Sequence, residues 1–336
     1  MNFRTRWTLL LAIIIVVLFW TNYTQDVDSE SLESWNNTPL KKEILKFIQT
    51  ASTSIPEEDR IAVFDLDGTL ACEAPLWFEM EVAVAGLIDR LNNNPELEGK
   101  PIYEYARKLA TNPADTSVHN NWVRKNANYL DSMILNAFDG KDCEWYVTYA
   151  NKYLSTHKNK QYDILYKDMF YQPMLELINL LKENKFTIYI VSGSMQSLLW
   201  SICPEVLEIP RTHLIGTRQQ LKPVYKNGRR PSFLFKNSKY TPHNNHSGKS
   251  INIYSRIGKI PVLAVGNTVG DFGMFHLASG SKYLNMSILI NHDDSRREYS
   301  YPPYHGKAVP AWQDSLEINE WRRVDMSKEF KVLWMK

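Results

Sequence analysis

Cysteine is scarce in this chain, with three in 336 residues. Cys72, Cys143 and Cys203 form no metal-type pair, and any disulfide leaves one of them over, so neither a zinc fold nor a disulfide scaffold is supported. An oxidising compartment can still join two of them. An excess of one charge is lacking as well. The formal net charge is +2, and that excess comes from Arg4 and Arg6; without residues 1–23, 37 basic residues (39 less those two) balance 37 acidic ones. A balanced chain presents no basic face to nucleic acid. Internal repeats are absent. The apolar and charged fractions, 44% and 23%, are those of a folded protein. The length suits one domain with a large insertion, or two domains.

What is present begins with the leader. Arg4 and Arg6 precede an uncharged apolar run from Trp7 to Trp20, the layout of an export signal. The run is short for a membrane-spanning helix, although extension to Tyr23 nearly reaches the required length. No small-x-small cleavage pattern follows. A cleaved signal peptide and an uncleaved transmembrane anchor over 7–23 both fit, and both put the body outside the cytoplasm, in a periplasm or on the outer membrane face. Residues 24–58 read as an acidic linker followed by a leading helix with apolar spacing through Leu40, Ile44, Phe47 and Ile48.

Residues 61–70 read Ile-Ala-Val-Phe-Asp65-Leu-Asp67-Gly68-Thr69-Leu70. The apolar run predicts a buried strand of a parallel sheet, with Gly68 opening the turn. Asp65 and Asp67 then emerge at the carboxyl end of that strand, where open α/β sheets hold their ligands. Two acids this close repel unless a cation or a shared proton relieves them, which calls for Mg²⁺. A calcium loop starting at Asp65 needs Glu at position 76, where Leu stands.

From about 74 to 167 the chain is helical and aromatic-rich, with helices expected over 76–91, 101–111, 120–137 and 142–155. Its aromatics, Trp77, Phe78 and Trp122 among them, are expected to be packing residues for the most part, with one or two on a pocket wall. Alternation of helix and strand resumes near 171. Strands are expected over 186–191, 261–265 and 283–290, with a β-rich stretch over 213–236 and a mixed tail. The second strand ends at Ser192-Gly193-Ser194 and the third at Gly266-Asn267, with Asp271 suited to cap the next helix. Lys249 stands on a helix between them.

In its order and residue types, this set resembles the haloacid dehalogenase superfamily of phosphohydrolases, over residues 59–290. The resemblance implies a Rossmann-like α/β core, a parallel sheet with helices on both faces, at 59–73 and 168–336. It also implies a helical cap at 74–167, like that of the phosphoserine phosphatase-like group. By the same resemblance Asp65 is the nucleophile and Asp67 the acid/base. Thr69, Ser192, Gly193 and Lys249 bind phosphate, and Asp65, Asp67, Asn267 and Asp271 hold Mg²⁺. Asn267 stands where many members carry Asp, so the metal site brings one charge fewer. The expected activity is hydrolysis of small phosphate monoesters from phosphorylated metabolites through an aspartyl-phosphate, a sound route for a carboxylate attacking phosphorus. Transfer to another alcohol uses the same residues, and a cell-envelope protein that binds phosphate esters without turnover is the alternative of another class. Glu73 stands where the cap meets the active site and is expected at a hinge or on the surface, with contact to a cationic group such as a substrate amine as the alternative. His292-Asp293-Asp294 is expected as a satellite polar group, and His243 and His246 in a loop.

Overall fold

The computed structural model describes residues 31–112, 127–225, 231–236, 243–301 and 313–334. The leader, Trp122 and the start of the helix expected over 120–137 lie outside the described residues. Among the described residues, no helix is long and apolar enough to cross a membrane.

Among the described residues the order starts with α1 (Pro39–Ser54) and β1 (Ile61–Phe64), followed by α2 (Phe78–Asn93), α3 (Pro101–Thr111), α4 (Ala127–Ala137) and α5 (Cys143–Thr156). Next come α6 (Gln172–Glu183), β2 (Thr187–Met195), α7 (Gln196–Val206), β3 (Leu214–Thr217), β4 (Leu221–Val224) and β5 (Ser232–Phe235). The last third holds α8 (Ser247–Ile257), β6 (Leu263–Gly266), α9 (Phe272–Ser279), β7 (Met286–Asn291), α10 (Gln313–Ile318), β8 (Arg322–Asp325) and α11 (Met326–Glu329).

All four side chains of β1 are buried, as a strand covered on both faces requires. Ala62 and Phe64 face one core with Ile190 and Val265, under α1, α6 and α7. Ile61 and Val63 face the other with Val191 and Ala264, under α8 and α9. The main sheet has the order β3-β2-β1-β6-β7-β8, with every pair parallel. The chain builds outward from β1 to β3, then returns to lay β6 on the other side of β1. That reversal makes the carboxyl ends of β1 and β6 the switch point where such sheets bind ligands.

Several expectations change. The second strand does not stop at residue 191; it runs on to Met195 through an irregularity between Val191 and Met195. The tail contributes β8 at the sheet edge, paired with β7. The described part of the expected linker is anchored rather than free. Trp35 is buried, its indole N–H donates to the Pro173 carbonyl at 2.9 Å, and it meets Phe330 edge-on. The three cysteines are unpaired and buried.

The β-rich stretch supplies β3 and a separate antiparallel hairpin, β4–β5. Its second strand clasps the helical insert. The Phe235 N–H donates to the Lys141 carbonyl and Gly140 N–H to the Phe235 carbonyl, both at 2.9 Å. The Phe235 ring meets Tyr146 of α5 edge-on. Asp142 caps α5 through the N–H groups of Glu144 and Trp145.

Candidate active site

Asp65 follows β1 directly, and its N–H donates to the Val265 carbonyl at 2.9 Å. The ladder therefore fixes the backbone at the point where the acids leave the sheet. Gly68 has a φ of +76°, and a Cβ there would lie 1.9 Å from Nδ2 of Asn267. Only glycine combines that left-handed turn with that approach.

The strand ends enclose a cavity of about 320 Å³. Asp65, Asp67, Ser192, Gly193, Lys249, Asn267 and Asp271 all line it. Thr69 does not. It is fully buried behind Asp65 and donates its hydroxyl to Oδ2 of that residue at 3.3 Å, so it is placed to orient the acid. A larger cavity, about 470 Å³, lies within the insert around Glu81, Tyr149 and Tyr153 and contains none of these residues.

The two acids differ in their surroundings. Lys249 Nζ lies 2.5 Å from Asp65 Oδ1 and 2.6 Å from Asp271 Oδ1, all three groups nearly inaccessible. Burial pushes the Asp65 carboxyl up, and the Lys249 ammonium opposes it. Burial also pulls on Lys249, but Asp271 and Asp65 outweigh it and hold the ammonium above its ordinary range. Asp67 Oδ2 instead accepts from Ser194 Oγ at 2.8 Å and Ser192 Oγ at 3.2 Å. Its Oδ1 is buried with no hydrogen-bond partner. Burial pushes the Asp67 carboxyl to about 6, with the two serine hydroxyls pulling the other way and Glu73 adding to the rise.

Asp271 does not cap α9 with its side chain. Its Oδ2 turns back to accept the N–H groups of Asn267 (2.9 Å) and Thr268 (3.0 Å), because a buried carboxylate beside Lys249 is best held by donors. The serine segment is shaped from behind. Asn244 Nδ2 donates to the carbonyls of Ser192 (2.9 Å) and Ile215 (2.8 Å), and Thr217 Oγ1 to that of Gly193 at 2.5 Å.

Sequence reasoning missed several residues that the fold brings here. Ser194, Glu79, Asp131 and His243 also line the cavity, with Trp77 the aromatic on its wall. Glu79 accepts the Met195 N–H at 3.0 Å, tying α2 to the end of β2, and burial pushes its carboxyl to about 8. Glu73 is neither exposed nor at a free hinge; it is buried, lines the cavity and accepts from Tyr301 Oη at 2.7 Å. His292 is no satellite: it is buried, with Nε2 2.6 Å from the Gly68 carbonyl and Nδ1 2.9 Å from Glu298 Oε2.

Among the described residues, no three His, Cys, Asp or Glu side chains form a metal cluster. The oxygen donors are mixed in kind: the Asp65 carboxylate and the Asn267 amide. That set fits Mg²⁺, a hard ion that takes few carboxylates and leaves room for water and phosphate.

A parallel sheet with an acid pair and a buried lysine at its switch point defines a hydrolase of the phosphatase type. Residues 62–276 match the haloacid dehalogenase-like hydrolases, and the chain belongs to that family. No curated protein matches it. Among solved structures it is similar to a conserved functionally unknown protein from Anaerococcus prevotii DSM 20548, at 14% identity and a TM-score of 0.50, over 85% of this chain and 91% of that one. A protein of unknown function from Bordetella pertussis Tohama I gives 13% and 0.47, over 80% and 98%. Cytosolic 5′-nucleotidase IIIB bound to cytidine gives 13% and 0.46, over 88% and 96%. At 14% identity, the likeness to the Anaerococcus protein speaks for the fold alone.

Proposed function

We propose that the chain hydrolyses small phosphate monoesters through an aspartyl-phosphate on Asp65. The observation that carries this reading is the contrast between its two acids. Asp65 is held against Lys249, whose positive charge opposes the rise that burial, Asp271 and Asp67 impose on its carboxyl and so works toward the ionised form that attack requires. Asp67 is gripped through one oxygen by two serines, and its other oxygen is bare and faces no donor. A carboxyl near 6 is suited to give a proton to the leaving oxygen and then to take one from water.

In the first step an Asp65 oxygen bonds to phosphorus while the ester oxygen leaves with the Asp67 proton. In the second, Asp67 takes a proton from water, which attacks phosphorus and frees Asp65. Lys249 and the Gly193 N–H are the donors for the phosphoryl oxygens, joined by the Ser192 hydroxyl when its one proton turns from Asp67. Asp65 and Asn267 would hold Mg²⁺, which supplies further positive charge to the phosphoryl group. Asp271 has its oxygens engaged by Lys249 and two backbone N–H groups, so it serves to position those groups.

The remaining wall comes from the insert, which we read as a cap. Asp131 stands there beside Trp77, and Glu73 of the core adjoins them. Acids on that wall disfavour a second negative charge, so esters whose alcohol part is neutral or cationic fit best. The apolar leader supports export, which fractionation tests. The activity is tested by Mg²⁺-dependent hydrolysis of an aryl phosphate in wild type and Asp65→Asn. Turnover that vanishes in the variant agrees with the reading, and equal turnover sinks the mechanism.

A further inference from the structure

We infer that Tyr301 fixes the amide of Asn267, and that position 267 is asparagine because Glu73 takes the only proton the Tyr301 hydroxyl can give. Three buried side chains form the relay. Asn267 Nδ2 donates to Tyr301 Oη at 2.6 Å, and Tyr301 Oη donates to Glu73 Oε1 at 2.7 Å. Their residues are 1%, 6% and 7% exposed, so water does little to repair a mismatch.

A phenol has one proton and a carboxylate has none. With that proton on Glu73, whatever faces Tyr301 from position 267 must be a donor. An amide nitrogen satisfies this and a carboxylate oxygen does not. Tyr299 also hydrogen-bonds the Tyr301 hydroxyl, and turning the amide over would set Oδ1 against the phenol oxygen or take the proton from Glu73, losing one hydrogen bond of the relay in either case. The relay therefore commits Nδ2 to Tyr301 and leaves Oδ1 as the atom available to the cavity.

The backbone holds both ends of the arrangement in place. Asn267 N–H is tied to Asp271, and Tyr301 N–H donates to the His292 carbonyl at 2.9 Å. Tyr301 does not line the cavity and acts on it through Asn267 and Glu73, so it is a positioning residue. The metal part of the inference rests on the proposed function; the relay itself does not.

Counting charge alone, Asn267→Asp should strengthen Mg²⁺ binding whatever stands at 73. The relay predicts otherwise. Asn267→Asp opposes two carboxylates across one phenol, whereas adding Glu73→Gln lets the chain run backwards, from the Gln amide to Tyr301 to the new carboxylate.

The experiment is a double-mutant cycle of Asn267→Asp and Glu73→Gln, repeated with Tyr301→Phe. Thermal midpoints are read in EDTA, and Mg²⁺ affinity is read by calorimetry. In EDTA, Asn267→Asp should lower the midpoint by roughly 2–6 °C, and the double variant should recover most of that loss. With Phe at 301 the two changes should become additive. If Asn267→Asp does not fold alone, folding of the double variant is the same rescue. Additive effects with Tyr301 present, or a double variant that fails while Glu73→Gln folds, overturn the relay. In the metal arm, Tyr301→Phe should weaken Mg²⁺ about 10- to 100-fold, and only the double variant should exceed wild type. No Mg²⁺ binding in wild type would contradict the proposed metal site and leave the EDTA result to decide the relay.

Discussion

His292 Nε2 lies 2.6 Å from the carbonyl oxygen of Gly68, joining residues 224 positions apart. The contact ties the loop that carries Asp67 to the segment leaving β7. His292 stacks on Tyr299 and is tilted against Tyr301, and Glu298, which its other nitrogen faces, also accepts from Tyr171. A fully buried network thus stands behind the acid pair, and the turn that presents the acids is braced by chain beyond the last expected strand.

Replacing His292 by Ala should therefore do two things. It opens a cavity and leaves the Gly68 carbonyl without its donor, at a cost of about 2–4 kcal/mol. It should also lower kcat more than it raises KM, because the Asp67 loop loses its brace while the cavity wall is kept. Urea unfolding and steady-state kinetics on one preparation check both effects.

Asp67→Asn should lower kcat by about 10²–10⁴, the usual contribution of a positioned acid/base. The loss in kcat/KM should shrink as the leaving group becomes more acidic, since a good leaving group needs no proton. A series of substituted phenyl phosphates measures this. A loss of one size across the series would argue against Asp67 as the proton donor.

Glu81 gives a pH prediction well away from the acid pair. Burial pushes its carboxyl from the ordinary 4.5 to about 7, with the Tyr166 hydroxyl and Lys160 opposing the rise. The native chain then keeps a proton that the unfolded chain releases. Stability should fall as pH rises from about 4.5 to about 7, by up to about 3 kcal/mol from this group. Glu81→Gln should flatten that part of the profile, as measured by denaturant midpoints across the window.

Phe235 tests the clasp between the hairpin and the insert. It is 3% exposed and packs on Tyr146. Phe235→Ala should cost about 3–5 kcal/mol, the usual price of emptying a buried aromatic site. Protease should then cut within the insert faster than in wild type.

The acid pair was legible because its signal is local: an apolar run, two acids and a glycine occupy ten residues. Lys249 and Asp271 follow once the strand ends are located, since the sheet order brings those ends together. The bracing residues carry no such signal. Tyr301 meets Glu73 across 228 positions, and neither neighbourhood marks the other. The strand β8 escaped for a different reason. It reads Arg322-Arg-Val-Asp325 with only Val324 buried, as an edge strand can, so no apolar pattern announces it. The irregular end of β2 is set by Asn244 and Thr217 from behind, which Ser-Gly-Ser alone does not reveal.

The central claim is that phosphate passes through Asp65. Acid quench during turnover of an aryl phosphate, borohydride reduction and mass spectrometry of the 61–70 peptide test it most directly. A reduced side chain at position 65, formed only with substrate and absent in Asp65→Asn, is the result expected. Steady turnover with position 65 unmodified, or with the modification at another carboxylate, would contradict it.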